Sequence, residues 1–383
     1  MRKFTKITCL VFALVFCAMS LASCSSTSYT AENTTYKIGS TGPLTGDAAS
    51  YGQSVQNGAQ LAIDEINAKG GLNGVLFTFE MKNDEATAEK ATTHFASLFE
   101  AGMQVSIGSV TSGSCKAFAE AAKEENVLFM TPSASAADVI AVGDHGFRVC
   151  FGDPQQGEIA AEELSKTYSK IGVIYDTSDT YSSGLYEAFV AKMGALNKVK
   201  DTDYVVTSFN KENNKDFSTQ VSTLKAAGCD VLFLPFYYTE AGLVAKKAAA
   251  EGYNVPIFGC DGLDGIADQL DSSVTAQISY ITPFDVNSED AAIKSFVDAY
   301  KAKYNALPDQ FAADGYDAVM ILYEAMKAAN VNNVTISASE LTELLKPILT
   351  GGTFKYSGVT GVNMTWTAEG SCVKEANIVV LER

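Results

Sequence analysis

The sequence predicts an α/β fold made of two doubly wound β/α lobes joined by a multi-strand hinge. Three observations carry that expectation. The 383 residues exceed the roughly 100 to 200 of an ordinary single domain. Apolar residues make up 47% of the chain and charged ones 19%, enough to bury two cores and too little charge for a disordered polymer. From Tyr36 onward, short β-branched or aromatic runs alternate with helical patterns, the signature of a mostly parallel sheet with helices on both faces.

The elements follow in order. Strands are expected at 36–39, 75–81, 105–108 and 127–130, separated by helices at 51–69, 85–100 and 116–125. A second series opens after an extended run at 147–151. It has helices at 155–169, 183–196, 216–227 and 240–251 and strands at 171–175, 204–209, 230–236, 256–259 and 277–282. The helices expected at 290–304, 311–329 and 338–349 exceed what a second sheet needs, so part of this stretch returns to the first lobe. We therefore expect residues 36–151 and 283–368 in lobe one and 152–282 and 369–383 in lobe two, with neighbouring linkers forming a hinge. Trp366, the single tryptophan, lies near the expected third crossing.

Ahead of the lobes, Arg2, Lys3 and Lys6 precede an apolar run over 7–22, too short to span a bilayer and typical of a secretory signal. The run ends in Leu21-Ala22-Ser23-Cys24, which resembles the bacterial lipobox, so Cys24 is expected to be lipidated after removal of residues 1–23. Residues 24–35, rich in Ser, Thr and Asn, then form a tether to the membrane. Cleavage leaves 25 basic residues against 45 acidic ones, a formal charge of −20, so attachment comes from lipid and not from surface charge. The same acidity repels phosphate backbones and argues against nucleic acid as a partner.

Chemistry is constrained as much by what is scarce. Only His94 and His145 are present, one on an amphipathic helix pattern and one in a Gly-containing loop, which leaves little for a metal centre or an imidazole base. Cys115, Cys150, Cys229, Cys260 and Cys372 show no C-x-x-C spacing and read as scattered buried thiols. The P-loop Gly-Lys, H-E-x-x-H and G-x-S-x-G patterns are missing. Gly39, Gly42 and Gly46 have the wrong spacing for a dinucleotide fingerprint, and Asp261, Asp264 and Asp268 do not match a calcium loop. No cofactor, metal or catalytic residue is expected.

Ligands of open parallel sheets bind beyond the carboxyl ends of the strands, which directs attention to the loops there. Two successive first-lobe loops, 109–114 and 131–136, are rich in hydroxyls and lead into helices. Ser112, Ser133 and Ser135 read either as helix caps or as donors that converge with helix N–H groups on an anion such as a carboxylate. In the second lobe, Tyr181 and Tyr237 follow strand ends. Asp261 stands in a Gly-rich turn, either as an ordinary turn residue or as a partner for an ammonium group.

These residues carry a resemblance over almost the whole mature chain. The opening Ile38-Gly39-Ser40-Thr41-Gly42-Pro43-Leu44-Thr45-Gly46, then Tyr51-Gly52, Gly58-Ala59 and Ile66-Asn67-Ala68-Lys69-Gly70-Gly71, is similar to the amino-terminal pattern of the leucine/isoleucine/valine-binding protein family. So are Thr131-Pro132-Ser133-Ala134-Ser135-Ala136, Lys215-Asp216-Phe217-Ser218 and Gly361-Val362. These are type I periplasmic binding proteins that serve ABC transporters. The resemblance implies that Ser112 and Ser135 hold a ligand carboxylate, Ser133 contributes backbone groups, Asp261 holds the α-ammonium, and Tyr51, Tyr181 and Tyr237 wall the pocket. It departs from the family where Asp261 stands at a position often held by Glu, and where Thr111 replaces a cysteine.

The function expected is that of an extracytoplasmic, lipid-anchored substrate-binding subunit of an ABC importer. It would close on a branched-chain or related amino acid and, as a monomer, present it to a permease and ATPase complex. A ligand-sensing subunit coupled to a receptor is the alternative. An exported enzyme with Ser112 as nucleophile lacks a base placed by any motif.

Overall fold

A computed structural model describes residues 33–381. The expected signal segment 1–23, Cys24 and the tether as far as residue 32 lie outside the described residues. Asn33 already belongs to the fold, since its side-chain amide donates to the Gly102 carbonyl at 3.0 Å.

In the first lobe, β1 (Tyr36–Gly42), α1 (Ala49–Ala68), β2 (Phe77–Asn83), α2 (Ala88–Glu100), β3 (Val105–Ser106), α3 (Ser112–Glu124), β4 (Phe129–Thr131), α4 (Ala137–Ile140) and β5 (Gly146–Arg148) follow one another. The five strands are parallel in the order β2-β1-β3-β4-β5. Successive residues of 127–130 point to opposite faces: Leu128 and Met130 join the core beneath α1, while Val127 and Phe129 join α2 and α3. That alternation, with apolar residues on both faces, is why these short runs are central strands.

The second lobe runs α5 (Asp153–Thr167), β6 (Ile171–Asp176), α6 (Thr180–Ala195), β7 (Tyr204–Phe209), α7 (Ser218–Ala226), β8 (Val231–Leu234), α8 (Tyr238–Ala250), β9 (Ile257–Gly259) and β10 (Ile278–Thr282). Here too Leu232 and Leu234 face one core, with α7 and α8, while Val231 and Phe233 face α5 and α6. The chain then returns. Helices α9 (Ala291–Tyr304), α10 (Gln310–Ala328) and α11 (Ala338–Thr350) pack on the first lobe, and α10 lies directly against α1. That crossing requires glycine: a Cβ on Gly58 would stand 1.9 Å from the Ala312 carbonyl oxygen, and one on Gly315 would stand 2.5 Å from that of Val55.

The final stretch adds a hairpin of β11 (Thr365–Trp366) and β12 (Cys372–Val373), and then β13 (Asn377–Val380). The hairpin belongs to the edge of the first sheet, because the Arg148 amide donates to Gly370 at 3.1 Å and the Trp366 indole donates to the Arg148 carbonyl at 2.9 Å. Only β13 joins the second sheet, antiparallel to β10 in the order β13-β10-β9-β8-β6-β7. The span 369–383 therefore begins against lobe one and reaches lobe two at Asn377. Three segments connect the lobes, at 149–152, 283–290 and 374–376. At the third of them the buried Lys374 ammonium lies 3.5 Å from Asp314 of α10.

All five described cysteines are buried and unpaired. Burial pushes the Cys115 thiol up to about 12, which leaves it inert at neutral pH. His145 is buried too, its Nε2 3.1 Å from the Ala119 carbonyl, and burial lowers its pKa.

Candidate functional site

The first-lobe wall of the cleft is assembled from loops laced to one another. Ser109 Oγ donates to Asp84 at 2.7 Å, Thr131 Oγ1 donates to the Ser109 carbonyl at 2.8 Å, and Ser133 Oγ donates to the Val110 carbonyl at 2.9 Å. Ser112, the first residue of α3, accepts from the Ala136 amide at 3.2 Å, so it ties the β3–α3 loop to the β4–α4 loop. Behind them Arg148 is almost wholly buried. Its guanidinium donates to the Ala136 carbonyl at 2.8 Å and also to the Ser135 carbonyl. Two hydroxyl-bearing loops are thus tied to each other by a network of hydrogen bonds.

The second-lobe wall has a different chemistry. Asp179 caps α6 by accepting from the Ser182 amide at 2.9 Å, and this sets Tyr181 in the first turn. The Tyr181 hydroxyl donates to Asp261 Oδ1 at 2.7 Å and accepts from the Gly262 amide at 2.9 Å. Gly262 has to be glycine, since a Cβ there would lie 2.7 Å from that hydroxyl. Asp261 sits in a single 3-10 turn after β9, its amide donating to Gln156 Oε1 at 3.0 Å. Burial raises its carboxyl to about 6, against the lowering pull of the Tyr181 and Gln156 hydrogen bonds. The nearby carboxyl of Asp153 is raised well above its usual range by burial, and that of Asp179 is pushed to about 6 by the same cause.

The lobes meet across the cleft. Tyr51 of α1 donates to the Gly262 carbonyl at 2.5 Å and accepts from the Tyr238 amide at 3.2 Å. Gln310, at the start of α10, donates through its side-chain amide to the Asp261 carbonyl at 2.8 Å. Tyr51 lies 4.2 Å from Phe311, while Tyr181 and Tyr237 stack in parallel at 5.1 Å. Near the rim, Lys215 pairs with Asp47 at 3.1 Å and Thr239 donates to the Asp47 carbonyl at 2.8 Å.

One cavity gathers most of the residues that the sequence singled out. Ser112, Ser133, Tyr51, Tyr181, Tyr237 and Asp261 line it, together with Val110, Thr111, Gly262 and Phe311. Ser135 does not line it. Its hydroxyl is buried and, among the described residues, without a hydrogen-bond partner, while its carbonyl accepts from the Asp153 amide at 2.9 Å. Sequence reasoning missed Asp153, Gln156, Gln310 and Phe311. The first two read as an ordinary helix start, and the others come from α10, whose pattern shows only that it is helical.

A hydroxyl-rich wall in one lobe faces an acidic, aromatic wall in the other, and three chain segments connect the lobes. A family model described as periplasmic binding protein matches residues 35–371. The chain belongs to the periplasmic binding protein family. This binding protein is 30% identical over 324 residues to Leu/Ile/Val-binding protein homolog 3 of Brucella melitensis, covering 84% of this chain and 86% of the relative. It is 28% identical over 323 residues to a leucine-, isoleucine-, valine-, threonine- and alanine-binding protein of Pseudomonas aeruginosa, covering 82% and 83%. Among solved structures it is similar to the branched-chain amino acid transporter substrate-binding protein of Streptococcus pneumoniae in complex with isoleucine. The TM-score is 0.79 at 29% identity, over 90% of this chain and 95% of the other. The family is one of extracytoplasmic substrate-binding proteins.

Proposed function

We propose that the protein is the substrate-binding subunit of an ABC importer, closing its lobes on a branched-chain or related α-amino acid. The observation that carries this reading is the polarity of the cavity: hydroxyls and amides on the first wall, a buried carboxylate on the second. A zwitterion matches both, and only a closed cleft lets it touch both at once. Ser112 and the amides at the start of α3 take the carboxylate, with Ser133 contributing backbone groups. Ser135 holds the β4–α4 loop through its carbonyl, which accepts from the Asp153 amide and the Arg148 guanidinium. Asp261 takes the ammonium, which restores the charge partner that its burial withholds, and Tyr51, Tyr181 and Tyr237 enclose the side chain.

Closure is the signal passed on to a permease and ATPase complex. Tethering at Cys24 keeps the monomer beside that complex. The relatives named for Leu, Ile and Val binding, and the isoleucine complex of the similar structure, support this ligand class.

The test is calorimetric titration of the refolded, ligand-stripped protein with the common amino acids. We expect one group of them to bind, and Asp261→Asn to weaken that binding roughly a hundredfold, since truncating one partner of a buried charge pair costs about 2 to 5 kcal/mol. Unchanged affinity in the variant removes Asp261 from the ammonium site, and silence across the panel removes amino acids as the ligand class.

A further inference from the structure

We infer that the ligand's side chain carries a neutral hydrogen-bonding group, a hydroxyl or a carboxamide, met by Thr111 from the first lobe and Tyr237 from the second. This rests on the amino acid reading of the cleft and narrows it to a side-chain class.

Thr111 occupies the residue before α3, where a threonine hydroxyl ordinarily accepts from an amide of the first turn. It makes no such bond. Its Oγ1 is buried and, among the described residues, has no hydrogen-bond partner, although Thr111 lines the cavity. Tyr237 holds the same position before α8 and also lines the cavity, and its hydroxyl is likewise buried without a partner. Its ring is fixed by parallel stacking on Tyr181 at 5.1 Å and by an edge contact to Tyr51 at 5.6 Å, so the hydroxyl does not turn outward to water without unstacking.

The other hydroxyls that line the cavity are engaged, although those of Ser114 and Ser135, which do not line it, are also buried without a partner among the described residues. Those of Tyr51, Tyr181 and Ser133 donate to Gly262, Asp261 and Val110, and that of Ser112 accepts from Ala136. Thr111 and Tyr237 remain, one on each lobe. For a purely apolar side chain, Val and Phe would fill these two places with the same volume and leave no desolvated hydroxyl. Threonine and tyrosine hydroxyls each donate and accept, which fits a neutral group that does both. A side-chain carboxylate is disfavoured by Asp179 and Asp261, whose charges both act on the Tyr237 hydroxyl.

Shape-matched pairs test the inference. Threonine against valine isolates a hydroxyl, and asparagine against leucine isolates a carboxamide. Each pair is titrated into the wild-type protein, Thr111→Val and Tyr237→Phe. In the wild type, the polar member of at least one pair is expected to bind about tenfold tighter or better, the worth of one well-made neutral hydrogen bond or more. In either variant the ratio should fall toward one while the apolar member still binds, which also shows that the variant is folded. Valine and leucine binding as tightly as their polar partners, or tighter, overturns the inference. A polar preference that survives in both variants overturns the assignment to these two residues. Failure of the underlying reading looks different, because then no amino acid binds the wild type at all.

Discussion

The two walls of the cleft differ in how they are satisfied. On the first, the loops are bonded to one another: Ser109 with Asp84, Thr131 with Ser109, Ser133 with Val110, Ser112 with Ala136, and the Arg148 guanidinium with the 135–136 carbonyls, while the Thr111, Ser114 and Ser135 hydroxyls are left without a partner among the described residues. On the second, Asp153, Asp179 and Asp261 are buried carboxyls with raised pKa values and, among the described residues, no basic side chain bonded to them. The bonded loops of the first wall are largely satisfied by folding, whereas a buried carboxylate on the second gains from a cation brought to it. The second lobe thus gives up stability that the ligand returns, and the first supplies the geometry against which it docks.

The comparison breaks most visibly at Asp261. Burial lifts its carboxyl from 3.8 to about 6, so the folded protein holds that proton more tightly than the unfolded chain does. The contribution to stability is full below pH 4 and is lost as the pH rises through 6, a swing of roughly 3 kcal/mol for about two pKa units. Ligand-free Asp261→Asn is expected to unfold at higher denaturant concentration than the wild type at pH 7. The advantage should shrink as the pH falls to 4, and an advantage independent of pH would assign the effect to something other than this carboxyl.

A smaller effect separates the walls at their junction. Tyr51→Phe removes the hydroxyl that donates to Gly262 and accepts from the Tyr238 amide, so ligand release should accelerate about five- to tenfold, equivalent to about 1 kcal/mol. Stopped-flow release of bound ligand reads this directly, and an unchanged off-rate would remove Tyr51 from the seal. The smallest expected signal comes from Trp366, which is anchored to the rigid side through the Arg148 carbonyl. Its emission should change only slightly at saturation. A large shift would locate the moving part on the first lobe and reverse the comparison.

Much of this was legible in the residue pattern because its causes are local. Alternating apolar faces mark β4 and β8, and hydroxyls after strand ends mark the loops that carry Ser112 and Ser133. The carboxylate after β9 is Asp261, and it proves to be buried. What escaped depends on partners far away in the chain. Gln310 and Phe311 reach the cleft because Gly58 and Gly315 let two helices touch, which no local period encodes. Ser135 looks from sequence like its neighbour Ser133, yet it does not line the cavity, and its carbonyl accepts from the Asp153 amide. The β11–β12 hairpin is held by the edge of the first sheet through Gly370, a contact spanning more than two hundred residues. Thr111 was visible as one hydroxyl in a loop of several, and only the missing cap sets it apart.

The placement of β13 bears on the order in which the molecule can be made. The second sheet takes its edge strand from Asn377–Val380, and the first lobe takes α10 and α11 from residues 310–350. A chain appearing amino-terminus first therefore holds a first lobe lacking two helices and a second sheet lacking its edge strand until residues 310–380 have emerged, and the contacts that complete both are long-range ones that form slowly. Removal of Asn377–Val380 would leave β10 without its antiparallel neighbour, so the second lobe cannot close its sheet from its own continuous stretch of chain.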